Sequence, residues 1–352
     1  MTAVPSSLLV VAERVEERLQ VLLDGEQARW TQVAPALAAP LASLRALVLS
    51  GGKRLRPAFC HWGFVGAGGD ADDDRVVAAG AAFELLHAFA LFHDDVMDGS
   101  DIRRGARTTH LAFADRHTDE QWTGEARRFG EGVAILVGDL AFVYADQLLE
   151  GAPPEVWRLW NELRVELNVG QYLDLLGTAV SERDRRSAEQ IGRYKSGRYT
   201  VERPLHLGAA LAAPDRVEAM LAPLSAYGLP LGDAFQLRDD VLGAFGDAEL
   251  TGKPVGDDLR EGKPTPLLSV ATERAGPTEH AVLARVGSAD LDEAEVAAIQ
   301  AVFLSTGALA EIESTIDRLA GEALDALDAV PVSEEARKAL VELAHYVAWR
   351  DR

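Results

Sequence analysis

Lysine is scarce in this chain of 352 residues, since only five lysines stand among its 35 basic residues. Lysine is therefore not a default surface residue here. Glycine lets a backbone approach a ligand closely, and the lysine ammonium is a compact point charge for an anion. Four of the five lysines lie in short glycine-containing segments: Gly51-Gly52-Lys53, Lys195-Ser196-Gly197, Gly252-Lys253-Pro254 and Gly262-Lys263-Pro264. These segments are candidates for anion binding.

Cysteine is almost absent, and so are targeting signals. The single cysteine, Cys60, excludes an intrachain disulfide framework and favours a reducing compartment. The N-terminus is acidic and amphipathic, without the basic start and uninterrupted apolar core of a signal peptide. No run approaches the roughly 18 apolar residues expected of a membrane span. We therefore expect a cytoplasmic protein without a membrane span.

Positive charge is in deficit, because the formal net charge is -21. A chain this acidic has no basic footprint for nucleic acid. It also repels anions, although the Debye length of about 8 Å confines that repulsion at physiological salt. A phosphate site in this protein must therefore be built locally, from a divalent metal and clustered basic side chains.

Strand signals are weak, and the hydrophobic pattern is helical. Residues 76–96 are apolar on nearly every face, as expected of a buried helix in a large bundle. We predict loops at 66–74, 115–128 and 246–266, and see neither a linker nor a repeat. The sequence indicates one all-α domain over 1–352, with helices at 76–96, 132–149, 156–176, 205–212, 226–244 and 312–327.

Two acidic clusters each end an apolar helical stretch. Asp94 and Asp98 are four residues apart, so they project from one helix face and repel each other unless a cation lies between them. Mg²⁺ is commonly bound by one or two carboxylates, waters and substrate phosphates, and this pair provides such a half-site. A solvated helix end is the alternative. The second cluster is Asp239-Asp240.

Basic side chains accompany the first cluster. Arg103 and Arg104 follow it directly and suit a diphosphate, although a surface salt-bridge cluster would look the same. Lys53 and Arg56 provide a second cationic site after two glycines. His87 lies seven residues before Asp94 on the same face, where a histidine of the core is the ordinary interpretation.

Taken together, these motifs resemble the trans-isoprenyl diphosphate synthases, also called polyprenyl synthetases. Six motifs occur in the family's order between about Leu44 and Leu268: Gly-Gly-Lys53-Arg-Leu-Arg56-Pro, Asp94-Asp-x-x-Asp98 with Arg103-Arg104-Gly, Gly170-Gln171, Lys195, Phe235-Gln236-x-x-Asp239-Asp240 and Gly262-Lys263. The resemblance implies the all-α isoprenoid synthase fold, a bundle of about ten or more helices around a central apolar cavity. It also implies a homodimer.

The resemblance implies two substrate sites. Asp94, Asp98 and Asp239 resemble the Mg²⁺ ligands that clamp an allylic diphosphate, with Arg103, Lys195 and Lys253 as the cations of that clamp. Lys53, Arg56, His87 and Arg104 resemble the site for isopentenyl diphosphate. Gln171, Asp174 and Gln236 resemble residues that line the reacting region, and Lys263 a further substrate contact. The second cluster departs from Asp-Asp-x-x-Asp, because Gly243 occupies the last position. Either Asp247 replaces the third carboxylate, or that carboxylate is dispensable.

Product length is predicted from the helix before the metal ligands. Phe89 and Ala90 lie five and four residues before Asp94, so one aromatic ring limits the growing chain. This pattern resembles the geranylgeranyl diphosphate synthases, with farnesyl diphosphate as the second choice. A class I terpene cyclase and a non-catalytic partner subunit are the more remote alternatives. The basic C-terminal tail either folds over a bound diphosphate, as in some relatives, or is a frayed end.

Overall fold

The computed structural model describes residues 4–246, 256–288 and 290–350. These residues form two compact units, each drawn from separate stretches of the chain. The N-terminal unit comprises Leu8–His61 and Ala71–Ala152. The C-terminal unit comprises the described residues of Met1–Ser7, Trp62–Asp70 and Pro153–Arg352. The single domain over 1–352 remains a prediction.

The elements up to Ala152 are helical apart from one short hairpin. They are α1 Ser6–Val33, a 3₁₀ turn Pro35–Leu37, α2 Ala38–Leu49, α3 Leu55–Gly66, α4 Asp74–Asp98, β1 Ile102–Arg103, β2 Ala106–Arg107, α5 Thr109–Asp119 and α6 Ala126–Leu148. In the N-terminal unit, α4 packs against α2, α5 and α6. The buried faces of α4 include Ala79, Phe83, Leu85 and Leu86, which explains its nearly continuous apolar sequence.

The elements from Pro154 onwards surround the long helix α10. They are α7 Pro154–Ala179, α8 Arg185–Gly192, the π-helical segment Arg193–Glu202, α9 Arg203–Ala212, a 3₁₀ turn Pro214–Arg216, α10 Val217–Phe245, α11 Asp257–Glu261, α12 Pro266–Arg274, α13 Pro277–Leu283, α14 Glu293–Ser305, α15 Ala308–Leu327 and α16 Glu334–Ala348. Helix α10 packs against α15, α16 and the π-helical segment.

Glycines allow the π-helical segment to lie against both α7 and α10. A Cβ atom on Gly170 of α7 would lie 2.6 Å from the Cα of Lys195. A Cβ atom on Gly232 of α10 would lie 2.8 Å from the carbonyl carbon of Gly197. Both distances are too short for any side chain, so the backbone of the segment that carries Lys195 is in direct contact with two long helices.

The all-α prediction is confirmed, and the six predicted helices correspond to α4, α6, α7, α9, α10 and α15. Two predicted loops are partly helical, and one hairpin was not expected. The predicted loop 246–266 contains helix α11, Asp257–Glu261. The predicted loop 115–128 is helical as far as Asp119, where α5 ends, and α6 begins at Ala126. A two-stranded antiparallel hairpin, with Ile102 opposite Arg107, follows α4. Its turn residues Arg104 and Gly105 both have positive φ, at 52° and 74°, which suits a tight hairpin turn.

Helix α4 is long and apolar enough to cross a membrane by length and composition alone. Helices α14 and α15 meet that criterion only as a pair, which is bent by 64°. A core helix satisfies the same test, and 61% of the most apolar window of α4 is buried inside the protein. The apolar sequence of α4 is therefore accounted for by packing within its unit.

Candidate active site

Asp94 and Asp98 lie in the last turn of α4, and both are half-buried. Helix α4 ends at Asp98 because Gly99 adopts the left-handed conformation, with φ of 66°, and donates its N–H to the carbonyl of Asp95. The end of the apolar helix thus presents two carboxylates one turn apart, as predicted.

Asp95, between them, was missed by the sequence analysis. Its side chain is buried and accepts hydrogen bonds from Arg103 Nε at 2.8 Å and Arg103 Nη2 at 2.5 Å. The same Nη2 lies 3.9 Å from Asp94 Oδ2. Asp95 therefore holds Arg103 beside the predicted metal ligand. The sequence signal that could have identified Asp95 is its position next to Asp94. Neighbouring helical residues point about 100° apart, so one of the paired aspartates must face inwards.

Arg104 turns towards the glycine loop between α2 and α3. Its Nη1 donates to the carbonyls of Leu47 at 2.9 Å and Gly51 at 2.6 Å, and to Ser50 Oγ at 3.2 Å. A Cβ on Gly52 would lie 3.3 Å from Arg104 Nη2. Arg104 thus fixes the loop that leads into Lys53, in addition to any contact with a substrate.

The basic residues of the N-terminal unit act together on His87. Burial and the nearby guanidinium groups of Arg56, Arg104, Arg103 and Arg54 hold the pKa of His87 well below its usual range. The imidazole is therefore neutral at physiological pH, and a neutral ring can donate one N–H and accept at its other nitrogen. A neutral ring within four arginines is a suitable environment for an anion.

Arg54 was not singled out from the sequence. It is buried and bonds Glu84, with Nη2 donating to Glu16 Oε1 at 3.1 Å and to the carbonyl of Val48 at 2.8 Å. Although burial opposes it, the carboxylates of Glu84 and Glu16 raise the pKa of Arg54. Arg54 therefore anchors the segment on whose two sides Lys53 and Arg56 lie half-buried.

In the C-terminal unit, Gln236, Asp239 and Asp240 share the second half of α10. Gln236 Nε2 donates to Asp240 Oδ1 at 2.7 Å. Burial, with further repulsion from the carboxylates of Asp258, Asp239 and Asp174, raises the pKa of Asp240 to about 8. Asp258 was missed by the sequence analysis. The unit therefore concentrates negative charge around the end of α10, where a cation would be stabilised.

Lys195 lies in this acidic environment, with its Nζ 2.5 Å from Asp174 Oδ2. Lys263 Nζ lies 2.5 Å from Glu261 Oε2 and 3.5 Å from Asp258 Oδ1. Gln171 is half-buried on α7, three residues before Asp174. Lys253 and Asp247 lie outside the described residues.

Buried ion pairs hold the π-helical segment in place. Glu166 of α7 bonds Arg203 Nε at 2.7 Å and Arg203 Nη2 at 2.5 Å, and lies 2.6 Å from Arg198 Nη1. Arg198 Nε donates to Glu202 Oε2 at 2.7 Å, and Ser225 Oγ of α10 donates to Glu202 Oε1 at 2.6 Å. This network fixes the turn that carries Lys195.

The predicted chain-length residues lie on α4. The ring of Phe89 is 4.6 Å from that of His93 and 4.8 Å from that of Phe142 of α6, measured between centroids. Phe89 is therefore part of the contact between α4 and α6. Ala90, on the turn below Asp94, is half-buried.

The donor set suits a hard divalent cation. Among residues 4–246, 256–288 and 290–350, no three metal-ligating side chains converge on one point. Asp94 and Asp98 supply carboxylate oxygens and no nitrogen or sulfur, as Mg²⁺ or Ca²⁺ requires. With two carboxylates, a bound ion would take its remaining ligands from water and a substrate diphosphate, so the residues present fit such a metal.

Comparisons with known proteins identify the family. The Polyprenyl synthetase family model matches residues 40–303. Geranylfarnesyl diphosphate synthase of Aeropyrum pernix is 32% identical over 86% of the chain and 92% of its own length. Octaprenyl diphosphate synthase of Escherichia coli is 32% identical over 87% and 88%. Geranylgeranyl pyrophosphate synthase of Corynebacterium glutamicum, solved with isoprenyl diphosphate and magnesium, is 37% identical, with a TM-score of 0.90 over 97% of this chain and 99% of that one.

Proposed function

The chain belongs to the polyprenyl synthetase family, and we propose that it condenses isopentenyl diphosphate with an allylic diphosphate to give geranylgeranyl diphosphate. That it is a trans-prenyltransferase making isoprenyl diphosphates follows from the family. The observation that carries the proposal is Arg103, which Asp95 holds 3.9 Å from Asp94. A carboxylate pair for metal beside a fixed guanidinium matches the leaving diphosphate of an allylic substrate.

Charged residues stabilise the leaving diphosphate, and apolar residues keep water away from the reacting carbon atoms. Bound Mg²⁺ would neutralise the diphosphate and assist its departure, and Asp94, Asp98 and Asp239 are the residues that would hold it. Arg103, Lys195 and Lys253 stabilise the charge that develops on the diphosphate as the allylic C–O bond breaks. Gln171, Asp174 and Gln236 orient the polar groups of the reacting region.

The second substrate is bound by the other basic residues. Lys53, Arg56 and Arg104 bind the diphosphate of isopentenyl diphosphate, and neutral His87 donates a hydrogen bond to it. The alkene attacks the allylic cation, and the proton lost from the adduct passes to the departed diphosphate. Apolar side chains around the cation prevent its capture by water.

Product length is the finer part of the proposal. One aromatic ring before Asp94, Phe89, favours geranylgeranyl diphosphate, and the similarity to the Corynebacterium glutamicum enzyme supports it. The names of other relatives extend to octaprenyl diphosphate synthase. Phe89 packs against Phe142, so its removal opens space between α4 and α6.

The test is an incubation of the purified protein with labelled isopentenyl diphosphate and dimethylallyl, geranyl or farnesyl diphosphate, with products resolved by length. We expect a C20 product that requires both substrates and a divalent metal. A predominant C15 product favours farnesyl diphosphate synthase. A hydrocarbon formed without isopentenyl diphosphate indicates a cyclase, and no product from any pair indicates a non-catalytic subunit.

A homodimer is proposed on exposed apolar stripes. On α7, Val165, Val169, Tyr172 and Leu176 are between 44% and 64% exposed at helical spacing. On α6, Leu136 and Val143 are 65% and 50% exposed, one heptad apart. Stripes of this kind are typical of surfaces covered by a second copy. Light scattering at micromolar concentration tests this; a monomer mass contradicts it.

The cytoplasmic location remains a prediction from the single, buried Cys60.

A further inference from the structure

The C-terminal end of α16 is bound to α10 through Arg238. Its Nε donates to the carbonyl of Ala348 at 2.9 Å. Its Nη1 and Nη2 donate to the carboxylate of Glu313 on α15, at 2.7 and 2.6 Å. The last turn of α16 is therefore held in place, and the end of the described chain is not frayed.

Arg350, just beyond that turn, extends back to α10. Its guanidinium lies 4.5 Å from the centroid of the Phe235 ring. Nη1 donates to the carbonyl of Val347 at 2.5 Å, and Nη2 bonds Asp239 Oδ1. Arg350 thus contacts the proposed metal ligand, although 111 residues separate them in the chain.

The burial of the two partners differs sharply. The side chain of Arg350 is 1% exposed, whereas that of Asp239 is 39% exposed. Arg350 therefore approaches Asp239 from the protein interior and leaves part of the carboxylate accessible from solvent. A basic side chain that covered the carboxylate would lie on its solvent side, and Arg350 does not. Arg350 instead holds Asp239 from behind, as a partner that orients a metal ligand does.

We propose that Arg350 is a positioning residue that orients the Asp239 carboxylate for a divalent metal bound together with a diphosphate. This inference rests on the proposed role of Asp239 as a metal ligand. An aspartate side chain rotates about two bonds, and one charge-assisted hydrogen bond from a buried, stacked guanidinium restricts that rotation. Arg350, just beyond the end of α16, is therefore part of the metal site.

The test is calorimetric titration of Mg²⁺ into the full-length protein in the presence of inorganic pyrophosphate. Partners that orient metal ligands are typically worth about 10- to 100-fold in metal affinity. We expect Arg350→Met to weaken Mg²⁺ binding within that range, and Arg350→Lys to restore part of it. The Mg²⁺ concentration for half-maximal turnover should rise in parallel, while KM for isopentenyl diphosphate stays unchanged.

A double-substitution cycle distinguishes a failure of this inference from a failure of the proposed role of Asp239 as a metal ligand. If Asp239→Asn weakens Mg²⁺ binding and Arg350→Met adds nothing in that background, the inference holds. If Asp239→Asn weakens binding but Arg350→Met alone does not, the positioning role is wrong. If Asp239→Asn has no effect, the assignment of Asp239 as a ligand is wrong. Glu313→Gln, which loosens the same end of α16 through Arg238, is the matched control and should leave Mg²⁺ binding unchanged.

Discussion

The two units arrange charge in opposite ways. In the N-terminal unit, four arginines surround a neutral His87, and the buried carboxylates of Asp95 and Glu84 bond Arg103 and Arg54. In the C-terminal unit, four carboxyl groups lie near one another. Lys195, Arg350 and Gln236 donate to Asp174, Asp239 and Asp240, respectively, and Lys263 Nζ lies 3.5 Å from Asp258 Oδ1.

The difference indicates that the cationic site around His87 and the acidic cluster of the C-terminal unit differ in their need for a metal. Guanidinium groups held by carboxylates and by backbone carbonyls form an anion site that requires no other ion. Clustered carboxylates repel one another, and this repulsion adds to burial in raising the pKa of Asp240, so the cluster gains most from a divalent cation. We therefore expect the C-terminal unit to contribute to diphosphate binding only with metal, and the cationic site of the N-terminal unit to bind without it.

The largest expected effect is the loss of the first carboxylate. Asp94→Ala should lower kcat at saturating substrates by roughly 10²- to 10³-fold or more, as removal of one strong electrostatic contact to a transition state does. Its thermal midpoint should change little, because Asp94 is half-exposed at a helix end. Asp119→Ala, at the exposed end of α5, is the control and should retain full turnover. Near-normal turnover of Asp94→Ala would remove the metal-site assignment.

The buried counter-ion of the N-terminal unit should matter for stability. The side chains of Glu84 and Arg54 are 4% and 2% exposed, so Glu84→Gln weakens the partner of a buried guanidinium. We expect a loss of about 3–5 kcal/mol in the free energy of unfolding, from urea titration. Glu218→Gln removes the exposed partner of Arg158 and should cost less than about 1 kcal/mol. Equal losses in the two variants would contradict the account.

The basic residues of the two substrate sites should affect different substrates. Lys53→Ala or Arg56→Ala should raise KM for isopentenyl diphosphate, and Lys195→Ala should raise KM for the allylic substrate. A hydrogen bond to a charged group is worth about 1.5–3 kcal/mol, which corresponds to roughly 10- to 100-fold. Steady-state kinetics with each substrate varied in turn provides the measurement. If every variant raises both constants equally, the two sites have been merged or exchanged.

The smallest effect expected is a pH dependence present in both units. Burial, together with the nearby positive charge of Arg14, lowers the pKa of His61 to about 4. Burial and the charge of Arg203 lower the pKa of His206 to about 4. The unfolded chain then binds more protons than the folded one between about pH 6.5 and pH 4, so stability falls as the pH falls through that window. From pH 6.5 to pH 5 we expect about 1–2 kcal/mol per histidine.

Urea titrations of the parent, His61→Asn and His206→Asn at several pH values measure this dependence. Each substitution should flatten the decline relative to the parent. An unchanged decline in both variants would show that other groups cause it.

The sequence was sufficient for the helices, because they depend on local spacing. Apolar periodicity identified α4, and the four-residue spacing placed Asp94 and Asp98 on one face. Arg350 was not predicted as a partner of Asp239, since a contact over 111 residues leaves no local pattern. Sequence likewise did not reveal the π-helical turn at Lys195, which is held by close glycine contacts and by the ion pairs of Glu166.

We expect the cationic site of Lys53, Arg56 and Arg104 to bind the diphosphate of isopentenyl diphosphate without metal, whereas the allylic diphosphate requires metal. Calorimetry with isopentenyl diphosphate, and separately with the unreactive thiolo analogue of geranyl diphosphate, tests this in chelator and then in Mg²⁺. We predict that isopentenyl diphosphate binds with nearly the same affinity in both conditions, while the allylic analogue binds only with Mg²⁺. Equal dependence of both ligands on Mg²⁺, or of neither, would contradict the account.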